Sequence, residues 1–167
     1  GVVSNYILWK AIHDLGGMID FQIPDRMKDG YGINENIIEK AVEDQIDTIL
    51  TCDNGIAASE AIRFGKEHGL TMIITDHHDV PFILNEDGSK EEILPPADVV
   101  INPKQKECKY PYPLLCGAGV AFQFVRALYK SMGEDENKLE DLLSMLAIAT
   151  VCERRIKEDQ RDKKCGS

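Results

Sequence analysis

Residues 47–76, DTILTCDNGIAASEAIRFGKEHGLTMIITD, place two short apolar runs on either side of a stretch whose apolar residues recur at helical spacing. Both runs, TILTC and LTMIITD, are rich in β-branched residues and predict buried strands, and Gly69 closes the helix between them. Strand, helix and strand in this order and at this spacing predict a parallel crossover unit. In an open sheet built from such units, the carboxyl ends of the strands carry the ligand site. Those ends hold Asp53, followed by Asn54-Gly55, and the triplet Asp76-His77-His78. If the two strands are parallel neighbours, a carboxylate and an Asp-His-His cluster share one edge of the sheet.

The alternation continues outward. From Ser4, the residues Ile7, Leu8, Ala11, Ile12 and Leu15 predict a first helix, stopped by Gly16-Gly17. MIDFQIP, residues 18–24, reads as a short strand, the residues up to 34 as a polar loop, and Asn34 as the N-cap of a helix over 35–45. Beyond the second strand, residues 77–96 read as a loop carrying Gly88 and Pro95-Pro96, ADVVIN (97–102) as another strand, and residues 120–132 and 137–152 as helices. Residues 153–167 have almost no apolar side chain and are expected to form a polar tail, either a solvated helix end or disordered. The expected fold is α/β, with an open, mostly parallel Rossmann-like sheet flanked by helices on both faces, in one unit over residues 1–152.

A chain of 167 residues with 43% hydrophobic side chains is long enough to bury one sizeable core. Lys and Arg number 19 against 29 Asp and Glu, a formal net charge of -10, so the chain repels polyanions and lipid head groups unless bound cations offset it. A nucleic-acid role therefore calls for metal ions or a basic partner domain. Five cysteines without a CxxC pair fit a reducing compartment. No apolar run reaches the roughly 18 residues of a membrane span and no signal-peptide pattern opens the chain, so a cytoplasmic protein with no membrane partner is expected.

Imidazole nitrogen combined with carboxylate oxygen suits Mn²⁺, Fe²⁺, Co²⁺ or Zn²⁺, and the absence of a thiolate cluster argues against structural zinc. A divalent ion held this way lowers the pKa of a bound water, and a pair of ions clamps the attacking and leaving oxygens of a phosphoryl transfer. A plainer reading stands beside this one. Adjacent residues on an extended segment point to opposite sides, so one histidine can simply fill space or bond a backbone group. The metal reading depends on Asp53 and the histidines projecting into a common pocket.

TCDNGI followed by IITDHH resembles the DHH phosphoesterase superfamily. IPDRMKDGYGIN (23–34) and INPKQKECKYPYPLLCGAGVAF (101–122) are similar to segments of its single-strand-specific exonuclease branch, the RecJ type. The resemblance implies that Asp53 bridges two metal ions, usually Mn²⁺ with Mg²⁺ possible, that His77 is a ligand, and that Asp76 orients His77 from behind. It implies that His78 faces the scissile phosphate. Arg26 fits a phosphate contact through its forked guanidinium, although a surface arginine in a polar loop is the commoner case. Gly117 and Gly119, read as preceding a helix, present backbone amides to a phosphate or a 5' end, close packing being their other use. Cys52 and Cys116 read as small buried hydrophobes.

Two motifs depart from the family pattern. The aspartates of its first motif, D-x-D-G, are absent, and Gly1-Val2-Val3-Ser4 resembles the end of that motif. In the fourth motif, A-T-V-x-D, Glu153 stands at the aspartate position, where its extra methylene is expected to weaken metal binding. The implied activity is 5'-3' release of mononucleotides from single-stranded DNA in repair and recombination, with DNA-repair proteins as partners and this chain a partial or weakly active fragment. Two alternatives remain open. One is an oligoribonuclease or a nucleoside-bisphosphate or cyclic-dinucleotide phosphoesterase of the same superfamily; the other is a non-catalytic relic acting as a binding module.

Overall fold

The computed structural model describes residues 1–24 and 32–165. In chain order its elements are α1 (Val2–Asp14), α2 (Glu35–Glu43), β1 (Thr48–Cys52), α3 (Ser59–Glu67), β2 (Thr71–Thr75), β3 (Phe82–Leu84), β4 (Lys90–Glu92), β5 (Val99–Ile101), α4 (Gly117–Ser131), a 3₁₀ turn (Glu136–Leu139) and α5 (Glu140–Cys165). β1, β2 and β5 form a parallel sheet in the order β1-β2-β5, with Thr48 to Cys52 of β1 level with Thr71 to Thr75 of β2.

Alternation along these strands divides the helices between the two faces of the sheet, because successive side chains point to opposite sides. Leu50 and Cys52 turn toward a core that includes Ile7, Leu8 and Ala11 of α1, Val125 and Tyr129 of α4, and Leu142 of α5. Ile49, Met72 and Ile74 turn the other way, onto Ile38 of α2 and Ile62 of α3. Ile38, Ile62, Met72 and Ile74 are all at 0% exposure. Each such side chain contributes about 1.5–3 kcal/mol relative to an exposed one. The parallel α/β sheet covered on both faces is the architecture that the sequence pattern predicts. Asn34 caps α2 as expected, its side chain accepting from the Ile37 amide at 3.1 Å. Among the described residues, no helix is long and apolar enough to cross a membrane.

Four local expectations need correction. MIDFQIP forms no strand: Met18, Phe21 and Ile23 are exposed, and among the described residues no strand offers the ladder that would hold it extended. The loop over 77–96 contains the antiparallel hairpin β3-β4, closed by Asn85 N–H to Ser89 O and Gly88 N–H to Asn85 O, both 2.9 Å, with Gly88 at a φ of 79°. An Asp-Gly pair between two short runs was the available hairpin signal. α4 begins at Gly117 rather than near 120, and α2 ends at Glu43, with Gln45 in the left-handed region at φ 57°. Finally, α5 does not stop near 152. It runs to Cys165, so the polar tail over 153–165 is a helix end, one of the two forms expected for it.

Candidate metal centre

Because Cys52 and Thr75 are level across β1 and β2, the residues that follow them leave the sheet side by side. The Asp53 amide donates to Thr75 O at 2.9 Å, and the Asp76 amide donates to Ile101 O at 3.0 Å. Asp53 takes a φ of 62°, a left-handed conformation that aspartate tolerates better than most side chains. Its loop is held by Thr51 Oγ1 donating to Asn54 O at 2.8 Å and Asn54 Nδ2 donating to Cys52 O at 3.1 Å. Gly55, at φ 109°, completes the turn where a Cβ would lie 2.9 Å from Thr51 Oγ1.

Asp76 is 1% exposed and joins the two strand-end loops. Its Oδ2 accepts from the Ile56 amide at 3.0 Å, and its Oδ1 accepts from the amides of His77 at 2.7 Å and His78 at 3.2 Å. The same Oδ1 lies 2.7 Å from His78 Nδ1. A carboxylate only accepts, so Nδ1 of His78 carries the hydrogen and its Nε2 is left with a lone pair. The resemblance assigns Asp76 to His77. The structure assigns its ring contact to His78, since the His77 ring nitrogen is 3.9 Å from Asp76.

His77 lies between two other acids. Its Nε2 is 2.8 Å from Glu153 Oε1, which places the hydrogen there and the lone pair on Nδ1. Nδ1 is 3.0 Å from Asp53 Oδ1, yet it is buried and makes no hydrogen bond. Two acceptors thus face each other at close range, an arrangement a shared cation relieves. Asp53, His77 and His78 each offer a ligand atom, all within 4.8 Å of one another. The nitrogen and oxygen donors fit Mn²⁺ and similar divalent ions, so the residues present suit the metal that the resemblance implies. Glu153 stands behind His77, on its outer nitrogen, where it orients the ring.

In the metal-free protein a proton on Nδ1 relieves the same pair, and the electrostatics favour it. Burial disfavours the Asp53 carboxylate, but His77, 3.0 Å from Oδ1, opposes it and draws its pKa below the usual range. Burial also disfavours a charged His77, and Asp53 and Glu153 outweigh it, so the His77 pKa is raised. A proton and a metal ion therefore compete for Nδ1. Burial pushes the Cys52 thiol up to about 12, which removes it as a nucleophile.

The structure brings together Asp53, Asp76, His77, His78, Glu153 and Gly117. This glycine is in the first turn of α4, and a Cβ there would lie 2.4 Å from Asp53 Oδ1. The positive end of α4 thus abuts the Asp53 side chain. Gly119, in the same turn, packs against Leu115 instead. Arg26 lies outside the described residues. Sequence reasoning missed Asn102, which is 2% exposed; its Nδ2 donates to His78 O at 2.9 Å and its Oδ1 accepts from the Lys104 amide at 2.9 Å. Its signal in the sequence is the INP run, residues 101–103.

Comparison with known proteins follows the same lines. Residues 1–150 match the family model described as DHH family, N-terminal domain. The single-stranded-DNA-specific exonuclease RecJ of Bacillus subtilis is 40% identical over 151 residues, and that of Haemophilus influenzae 33% over 161 residues. The matches cover 90% and 92% of this chain but 18% and 26% of those proteins, so the chain spans only a minor part of their length. A crystal structure of exonuclease RecJ bound to manganese aligns with a TM-score of 0.71 at 28% identity, covering 90% of this chain and 35% of that one. RecJ from Thermus thermophilus in complex with Mn²⁺, 24% identical with a TM-score of 0.64, shares the fold over 90% of this chain and 19% of that one.

Proposed function

Because this chain belongs to the DHH family, we propose that it is the metal-binding lobe of a phosphodiesterase that removes 5'-mononucleotides from single-stranded DNA. The observation that carries this reading is the pair of facing acceptors, Asp53 Oδ1 and His77 Nδ1, 3.0 Å apart and without a hydrogen bond, with His78 beside them. Asp53 and His77, with His78 as a further donor, would hold divalent metal, Mn²⁺ first and Mg²⁺ second. Bound there, the metal supplies Lewis-acid stabilisation of phosphoryl oxygens and a water of lowered pKa.

The remaining work falls to the chain's own groups. Asp76 fixes the His78 ring with Nε2 directed away from it; with a second proton on Nε2, the half-exposed imidazolium donates to a phosphoryl oxygen. Asn102 holds the backbone carbonyl of His78 and keeps that ring in register with β5. Glu153 sets the tautomer of His77 through Nε2. With a formal net charge of -10, the lobe offers long polyanions little attraction away from this centre.

The test is calorimetric titration with Mn²⁺, together with an assay for mononucleotide release from 5'-phosphorylated single strands. Mn²⁺ binding that is lost in His77→Ala is expected, as is metal-dependent release that the same substitution abolishes. Unchanged Mn²⁺ binding in His77→Ala, or release that needs no metal, would refute the reading.

A further inference from the structure

An open cleft of about 820 Å³ adjoins the metal centre, walled by the chain entering α2 on one side and the chain entering α3 on the other, with Asp76 and His78 at its inner end. Its size is that of a small-molecule site. The described lining residues include Asn34, Asn36, Asn54 and Ser59 as neutral polar groups and Glu35 and Glu60 as acids, with no lysine or arginine among them. Glu35 and Glu60 lie in the first turns of α2 and α3, where they already complement the positive helix ends. The described lining is thus rich in acceptors, which favours a ligand rich in N–H and O–H donors.

Asn54 adds an independent observation. Its Nδ2 donates to Cys52 O, while its Oδ1 is buried with no partner. Gly32, on the opposite wall, carries no side chain there; a Cβ would come within 3.6 Å of that Oδ1. A ligand donor reaches that oxygen only when the Gly32 wall moves aside, and then meets an acceptor already stripped of water.

We propose that the cleft between the N-terminal turns of α2 and α3 is a nucleoside subsite. It takes the sugar and an amino-bearing base of the nucleotide whose phosphate lies at His78. The placement of the phosphate rests on the function proposed above; the affinity of the cleft for a nucleoside does not. Acceptors from Asn and Glu match the exocyclic amino group of adenine, guanine or cytosine, and the sugar hydroxyl adds a further donor.

The experiment uses deoxyadenosine, dAMP and deoxyribose 5-phosphate as probes. Deoxyadenosine, added without metal, is expected to shift the backbone amide NMR signals of residues 32–36 and 54–60. In the presence of Mn²⁺, calorimetry is expected to find dAMP at least about tenfold tighter than deoxyribose 5-phosphate, roughly the effect of one desolvated hydrogen bond. Ala57→Trp, at an exposed position in the wall, should remove that advantage while leaving the Mn²⁺ affinity unchanged. Asn36→Trp on the facing wall is the second variant should the first fail to fold. Equal affinity for dAMP and deoxyribose 5-phosphate overturns the subsite, as does an advantage that survives both tryptophans, or deoxyadenosine that moves none of these signals. Deoxyadenosine shifts in a protein that neither binds Mn²⁺ nor releases mononucleotides would keep the subsite and sink the phosphodiesterase reading alone.

Discussion

Replacing Gly117 by alanine tests whether α4 and the metal centre are packed as one unit. The new Cβ would lie 2.4 Å from Asp53 Oδ1, 2.7 Å from Cγ and 3.0 Å from Cβ. Ordinary contact begins near 3.4 Å, so the carboxylate must retreat by about 1 Å or α4 must shift by as much. Two terms oppose each other. Removing a glycine from a helix stabilises by about 0.4–1 kcal/mol, whereas overpacking costs about 1–3 kcal/mol. The net expectation is a loss of about 1–2 kcal/mol, or a fall in Tm of roughly 3–6 °C for a chain of this size. Metal binding should suffer more, because ligand bonds hold to within about 0.2 Å, and a loss of at least about tenfold in Mn²⁺ affinity is expected. Gly119→Ala is the control: its Cβ would meet the flexible end of Leu115 at 3.0 Å, which can yield. Thermal unfolding and Mn²⁺ calorimetry on both variants decide the matter. A Gly117→Ala protein as stable as Gly119→Ala, with unchanged Mn²⁺ affinity, would refute the packing argument.

Asp76→Asn replaces a fully buried acceptor of four hydrogen bonds with a group that must turn donors toward donors. It should cost about 2–4 kcal/mol in denaturant unfolding, and a loss below about 1 kcal/mol would show that the carboxylate is not the junction of the two loops. Glu153→Gln keeps a hydrogen-bonding group near His77 Nε2 but removes a charge; Mn²⁺ affinity should fall a few-fold, whereas complete loss would mean that Glu153 is itself a ligand. The pH response of the metal-free protein has two signs. His77 has a raised pKa, so its contribution is fully present below about 6.5 and fades as pH rises through the higher folded value. Asp53 has a lowered pKa, so its contribution is present above about 3.9 and fades as pH falls toward the lower folded value. Tm of the metal-free protein should therefore decline above neutral pH, Mn²⁺ affinity should rise over the same range as the competing proton leaves, and His77→Gln should flatten both trends.

The parts of the site legible in the sequence were those written locally. TILTC and MIITD carry their strand character in β-branched apolar residues, Gly69 ends the helix between them, and Asn34 announces a cap three residues ahead of the amide it bonds. Once two such strands are parallel neighbours, the residues after Cys52 and Thr75 must emerge together, so Asp53 and the Asp-His-His triplet could be placed at one edge without coordinates. The hairpin of β3 and β4 was missed because its strands are only three residues each and its apolar side chains stay exposed. MIDFQIP failed for the opposite reason: a strand-like composition forms no ladder unless another chain segment lies alongside.

What the fold alone decided is the pairing within the site. No spacing rule tells that Asp76 bonds the ring of the histidine two positions on rather than the next one, that Glu153 comes 76 positions along the chain to meet His77, or that Gly117 is small because Asp53 lies against it. Local sequence sets which backbone conformations are cheap and which faces are apolar. Which ring nitrogen keeps its lone pair depends on distances between residues far apart in the chain, and those exist only once two cores have closed on either side of the sheet.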